Sequence, residues 1–398
     1  MIYIVPVLLL FCLFVRFDLG RNQKGMLLWF YFLLILFITI GGFEYNVGSD
    51  MPAYMDEYDD YHWSDIKTVG DLMGYRHRQP GWVLLNLIFK SISSNFALFQ
   101  FFNALFFNIV FFFFIKRNTG YLFLGLLFYA VAIYLNLNFN ILRQAYSICF
   151  FLIGYNFLRQ KRLVVYYIFA TLAFMFHTSA IICFVIPLLL FFKFTPKSII
   201  FFGLSLFVLI LLSLNHFFDD ILSSLFFDLL SEEGTMQTIG EIGNKFMGSH
   251  YERTETINIF GIVELLLSIG VIIFVAIYNS LYNKNCDSVW NGILFLYAIC
   301  TIMDIVVPVL FYRFMYFFQI FYYISLGFCV VNLTQRLFNR NRFITAVACL
   351  FFAISPVMTL FNINPDSGIP LISQFYPYHS IFDKQIDPVR ASHFGSHR

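Results

Sequence analysis

Arg143 and Arg313 each stand at the edge of a long apolar run, on the side that most of the chain's other membrane-flanking positive charges avoid. A guanidinium beside hydrocarbon is costly unless an anion meets it. Arg143 lies in the run Asn138-Phe139-Asn140-Ile141-Leu142-Arg143-Gln144-Ala145, where Asn140 is placed to cap a helix. Arg143 would then occupy the first helical turn, where a cation opposes the helix dipole. Two arrangements relieve that conflict. One is an internal ion pair with a loop acid. The other is a bound anion, held by the guanidinium and by the N–H groups of the helix start. The second is a cradle for a diphosphate, and it would stabilise the charge that develops when a diphosphate departs. Arg313 follows Asp304, Pro308 and Tyr312 and precedes Tyr316. It either pairs with Asp304 or supplies a second phosphate contact.

Three further groupings could take part. Gly48-Ser49-Asp50 is followed by Tyr54, Asp56 and Glu57. Gly48 permits a tight turn, and Asp50 either caps the next segment or aims a carboxylate at a sugar hydroxyl. Tyr75-Arg76-His77-Arg78-Gln79-Pro80-Gly81 sets two arginines just before a helix that Pro80 can open. Arg76 and Arg78 suit a substrate phosphate or ordinary lipid headgroups. Phe176-His177-Thr178-Ser179 puts a histidine between two short apolar segments. His177 is either a hydrogen-bonded structural residue or a proton-transfer or phosphate contact. Walker, Rossmann and HExxH patterns are missing, and the histidines are scattered. No metal, nucleotide or other cofactor is therefore expected, and no nucleic-acid partner.

An all-α, polytopic membrane bundle must position these residues. The chain of 398 residues is 60% hydrophobic and 12% charged, against roughly 25% charged in soluble domains. Apolar runs of bilayer-spanning length recur without the alternation of a membrane barrel. The pattern predicts about twelve spans in a single integral membrane domain over residues 1–398. The first apolar run, Ile2 to Val15, lacks a basic n-region and a cleavage site and is expected to be a retained helix. Short loops carry Arg16, Arg21 and Lys24; Lys116 and Arg117; Arg159, Lys161 and Arg162; Lys193 and Lys197; Lys284; and Arg336, Arg340 and Arg342. They alternate along the chain and mark the cytoplasmic face. Residues 81–93 are too short to span, with Trp82, Leu85, Phe89 and Ile92 on one helical face opposite Asn86, Lys90 and Ser93. They are expected to form an interfacial helix. Outer loops are expected over 43–95 and 215–257, and a proline-containing outer strap over 362–398. The cytoplasmic loops are too short to hold a catalytic domain. Chemistry is expected at the outer face, on a substrate that arrives by way of the lipid.

The segments GSDMPAYMDEY, RQPGWVLLN, NFNILRQAYS and FHTSA, in that order and spacing, resemble the EpsG family of Wzy-like polysaccharide polymerases. The resemblance covers roughly residues 26 to 192. It implies a GT-C-like glycosyltransferase of the bacterial inner (plasma) membrane, with its site facing the periplasm or the outside. The implied reaction moves a glycan from undecaprenyl pyrophosphate onto another lipid-linked repeat unit. Arg143-Gln144 matches the family's Arg-Gln element, His177 its Phe-His element and Asp50 its Gly-Ser/Thr-Asp element. Gln79 stands where an acid is expected before Pro-Gly, which moves the expected base to Asp50, with His177 second. On this reading Arg143, Arg313, Arg76 and Arg78 hold the pyrophosphate, and Tyr54, Trp63 and Gln144 meet sugar. Membrane lipids and a polysaccharide chain-length regulator are the partners to expect. An O-antigen ligase uses the same donor and stays an alternative. A flippase or transporter would need charged residues at mid-depth, whereas the polar residues collect outside.

Overall fold

The computed structural model describes residues 2–20, 23–75, 78–193, 259–283, 288–306, 308–363 and 368–385, with scattered residues over 195–208 and 387–390. Arg76, His77 and the expected outer loop 215–257 lie outside the described residues. Among the described residues the regular elements are helices, with three isolated β-bridges and no strand. Contacts divide the chain into two compact units, Met1–Ile181 with Val330–Arg398, and Ile182–Cys329.

In the first unit, α1 (Ile4–Leu13) runs on as a π-helical turn to Leu19. Then come α2 (Met26–Gly42), α3 (Met51–Asp60), α4 (Val69–Gly74), α5 (Pro80–Ile92) and α6 (Phe96–Asn118). The chain continues through α7 (Leu122–Ala132), α8 (Tyr134–Phe139), α9 (Leu142–Arg159) and α10 (Leu163–Phe176). After a 3₁₀ turn, α11 (Ile181–Val185) carries the chain into the second unit, where residues Ile186–Phe191 are 3₁₀-helical around Pro187, which lacks the N–H a regular helix needs. In the second unit lie α12 (Ile259–Tyr282) and α13 (Ser288–Val306). The long α14 (Pro308–Leu337) starts in the second unit and ends in the first, where α15 (Arg342–Thr359) follows.

Among the described residues three helices are long and apolar enough to cross a membrane: α6, α15 and the Leu310–Leu337 part of α14. Several shorter apolar helices accompany them. Exposed side chains agree. Phe343, Val347, Phe351, Ile354 and Met358 form an open apolar stripe along α15, and Leu28, Phe32 and Ile35 form another along α2. Such stripes are costly in water and natural against lipid. The chain is a helical membrane protein.

Buried amides lock the first unit together. Gln100, Asn103 and Asn108 lie inside, on α6. Gln100 Nε2 donates to the carbonyls of Gly41 (2.9 Å) and Asn138 (3.1 Å). Asn108 Nδ2 donates to Asn138 Oδ1 at 3.1 Å and Tyr129 Oη to Asn108 Oδ1 at 3.0 Å. Tyr146 Oη donates to Asn103 Oδ1 at 2.5 Å, and Tyr134 Oη to the Phe37 carbonyl at 2.8 Å. Each of these buried amides on α6 thus meets a partner, which is how side chains bind helices together inside a bilayer. The network ties α2, α6, α7, α8 and α9 to the corner 138–140 that precedes Arg143.

The basic loops of this unit gather at one end. Arg159 Nη1 donates to Asn118 Oδ1 at 3.1 Å, joining the far ends of α6 and α9. Asp18 Oδ2 accepts from the Leu124 N–H at 3.0 Å and caps the start of α7. The other end carries α3, α5, the start of α9 and the tail. Helix α5 forms where expected, but with another face inward. Trp82, Val83, Asn86 and Leu87 are buried, while Leu84, Ile88 and Ile92 are exposed. Asn86 can be buried because its Nδ2 bonds its own helix, at the Trp82 carbonyl (2.8 Å).

The described residues of the tail fasten the loop after α2. Tyr45 N–H donates to the His379 carbonyl (2.9 Å), Gly48 N–H to the Gln374 carbonyl (2.8 Å) and Ile381 N–H to the Phe43 carbonyl (3.0 Å). Buried Arg390 donates to the carbonyls of Asn46 (2.6 Å) and Pro377 (2.7 Å). Glu44 is buried beneath the strap, and its Oε2 accepts the Val47 N–H at 2.9 Å. Burial raises its pKa to about 8, against the Val47 bond and Arg390, which lower it. The folded state therefore holds the proton more tightly than the unfolded chain. The stability this gives is full below about pH 4.5 and is lost as pH rises through about 8. Thermal unfolding in detergent should show Tm falling between pH 5 and 9, and Glu44→Gln should flatten that slope.

Candidate active site around Arg143

Arg143 stands in the first turn of α9, which no side chain caps. Asn140, expected as that cap, is used otherwise. Its Oδ1 accepts the Ser49 N–H at 2.8 Å, and its Nδ2 donates to Gln374 Oε1 at 2.9 Å. It is thus a cross-link between the loop before α3, the α8–α9 corner and the tail. Gly48 makes this junction feasible. Its φ is +105°, and a Cβ there would lie 2.2 Å from the Phe139 carbonyl oxygen.

Arg143 Nη1 donates to Gln79 Oε1 at 3.0 Å. Gln79 is neutral, so the charge is left uncompensated by that contact. Arg143 Nε is buried and has no hydrogen-bond partner among the described residues. A guanidinium N–H without a partner away from water is costly.

Tyr54 sits beside it on α3. Its ring is buried edge-on to Trp82, with centroids 5.3 Å apart. Its hydroxyl donates to the Asn140 carbonyl at 3.2 Å and also bonds Arg143. Burial raises the phenol to about 12; Arg143 lowers it and Asp50 raises it. The hydroxyl therefore lies within electrostatic reach of both the guanidinium and the Asp50 carboxylate. Replacing Tyr54 by Phe removes the hydroxyl that steadies Arg143. It should slow the reaction by about 5- to 10-fold, the worth of roughly 1 kcal/mol per hydrogen bond. Initial rates at matched protein level would check this.

Asp50 holds the N-cap position of α3 without making a capping bond, and it is exposed. Ser49 Oγ donates to its Oδ1 at 3.2 Å. Arg78 differs from Arg143. Its guanidinium forms an ion pair with Glu57, whose other oxygen accepts from Trp82 Nε1 at 3.4 Å. An arginine read as a phosphate ligand is thus engaged by an internal carboxylate, and it organises α3 against α5. Arg76 lies outside the described residues.

His177 is buried at the end of α10. Its Nδ1 accepts the Ser179 N–H at 3.1 Å and lies 2.6 Å from Ser179 Oγ. The neutral ring therefore carries its proton on Nε2. The imidazole caps the turn after α10, the structural alternative considered from sequence.

Of the residues expected to meet sugar, Trp63 is exposed, with its Nε1 on Ser91 Oγ at 2.6 Å. Tyr54 and Gln144 are buried, which is at odds with ring stacking for Tyr54. Arg313 belongs to the second unit and is exposed. With Asp304 it acts electrostatically on Tyr316, whose Oη bonds Tyr312 Oη at 2.6 Å. The grouping expected around Arg313 is therefore assembled within that unit. Sequence reasoning missed Gln79 as the partner of Arg143, and Gln374 and Arg390 as fasteners of the corner.

Arg143 thus meets a neutral amide and a phenol, and its buried Nε has no hydrogen-bond partner among the described residues. The chain belongs to the EpsG family, whose model matches residues 27–380. No curated protein and no solved structure matches it.

Proposed function

We propose that this protein is a membrane polysaccharide polymerase. It transfers an oligosaccharide from undecaprenyl pyrophosphate onto a sugar hydroxyl of another lipid-linked repeat unit. The observation that carries this reading is Arg143. It meets a neutral amide and a phenol, keeps a buried Nε unanswered, and starts an uncapped helix. Family membership supports the same reading. In this proposal the protein sits in the bacterial inner membrane as a GT-C-like bundle of about twelve spans. The gathered basic loops face the cytoplasm, by the positive-inside rule, and the Arg143 end faces outward.

In the proposed reaction the acceptor hydroxyl attacks the anomeric carbon and inverts it. The bond from that carbon to the pyrophosphate oxygen breaks, and its electron pair leaves with undecaprenyl pyrophosphate. Arg143 neutralises the developing charge. Asp50 takes the hydroxyl proton as general base. His177, with Nδ1 engaged by Ser179, supports the turn beside Arg143's helix. Trp63 offers an exposed ring to a sugar face.

Lipid-linked intermediates in a strain lacking the chain distinguish the readings. Single repeats should accumulate on undecaprenyl pyrophosphate, on the outer leaflet. Finished polymer on that lipid would show a ligase instead, and repeats confined to the inner leaflet would show a flippase.

A further inference from the structure

At the opposite end of the first unit, where Arg159 meets Asn118, lies a second cationic site. A cavity of about 550 Å³ is lined by Tyr121, Asn332, Gln335, Arg336, Asn339 and Arg340. Two arginines, three amides and a phenol face it, with no acid among them. The backbone is as informative as the side chains. Helix α14 ends here with the Arg340 N–H on the Gln335 carbonyl at 2.8 Å and the Phe338 N–H on the Thr334 carbonyl at 2.9 Å. Two consecutive residues then take left-handed conformations, Asn339 at φ +48° and Arg340 at φ +60°. Asparagine tolerates that region, and glycine is the usual choice. An arginine there strains the chain, and strain of this kind is kept where the side chain is needed.

We propose that this cavity binds a phosphate group, gripped by Arg336 and Arg340 and completed by the surrounding amides and the Tyr121 hydroxyl. Guanidinium forks match phosphate oxygens in pairs, and neutral donors fill the remaining lone pairs. The phosphate comes either from an anionic phospholipid headgroup or from a soluble phosphate ester. The site lies far from Arg143 and does not depend on the transfer reaction.

The test is thermal unfolding of the purified full-length protein. One arm adds inorganic phosphate in detergent. The other compares nanodiscs of phosphatidylglycerol with nanodiscs of phosphatidylcholine. In the wild type at least one arm should raise Tm by a few degrees. A shift with inorganic phosphate points to a soluble ester, and a shift with phosphatidylglycerol alone points to a headgroup. Arg340→Gly should lose the shift while its own Tm is unchanged or higher, because glycine suits the left-handed backbone. Arg336→Gln should lose the shift too, and Arg143→Ala should keep it. The proposal is overturned if neither arm moves the wild type, if Arg340→Gly responds as the wild type does, or if Arg143→Ala abolishes the response.

Discussion

Arg143→Ala should abolish long polymer in cells that hold the protein at its normal level. Removing one preorganised donor from a developing anion typically slows a reaction by about 10²–10³-fold. Arg143 should lie at the upper end of that range. It is charged, it is partly buried, and the Nε that lacks a partner implies that its best acceptor is the ligand itself. Arg143→Lys keeps the charge but loses the planar fork, so an intermediate phenotype with short ladders is expected. Arg78→Ala gives the contrast. Arg78 is already paired with Glu57, so its loss should lower stability, by leaving Glu57 alone against Trp82, more than it lowers the rate per folded molecule. Ladder length on gels, scaled to protein in the membrane, separates these outcomes.

Gly48→Ala should be the most damaging small substitution outside the chemistry. The new methyl would lie 2.2 Å from the Phe139 carbonyl oxygen and 2.6 Å from Asn140 Oδ1. Neither can easily retreat. Phe139 is buried against Tyr134 and Tyr3, and Asn140 is held by Ser49 and Gln374. The φ of +105° adds backbone strain of its own, about 1–3 kcal/mol. The loop would have to lift, carrying Asp50 away from Arg143. Losses above about 3 kcal/mol are expected, enough to deplete the folded protein. Gly25→Ala is the matched control. Gly25 also has a left-handed φ, +81°, but nothing lies within 4 Å of its would-be Cβ. It should lose only the left-handed backbone cost, about 1–2 kcal/mol. Equal Tm changes in the two variants would remove the junction from this account.

Local pattern made much of this molecule legible. Continuous apolar runs and sparse charge mark a helical membrane protein. What local pattern does not carry is the long-range choice of each polar partner. Asn140 before a helix looks like a cap, yet Ser49 and Gln374, 91 and 234 residues away, compete successfully for it. Arg78 and Arg143 look alike in sequence. Tertiary contacts separate them, because Glu57 reaches one and a neutral glutamine the other. The inward face of α5 was obscured for a related reason. A buried asparagine that bonds its own helix carbonyl breaks the apolar–polar division on which periodicity depends.

The most direct measurement of the central claim is a transfer assay in a purified system. The protein is given one synthetic undecaprenyl-pyrophosphate repeat unit and nothing else that could act as donor. The account predicts a ladder of lipid-linked oligomers together with free undecaprenyl pyrophosphate, one released per bond made, and neither product from Arg143→Ala. A wild-type preparation that binds the lipid yet never lengthens it, or an Arg143→Ala preparation that lengthens it at the wild-type rate, would contradict the claim.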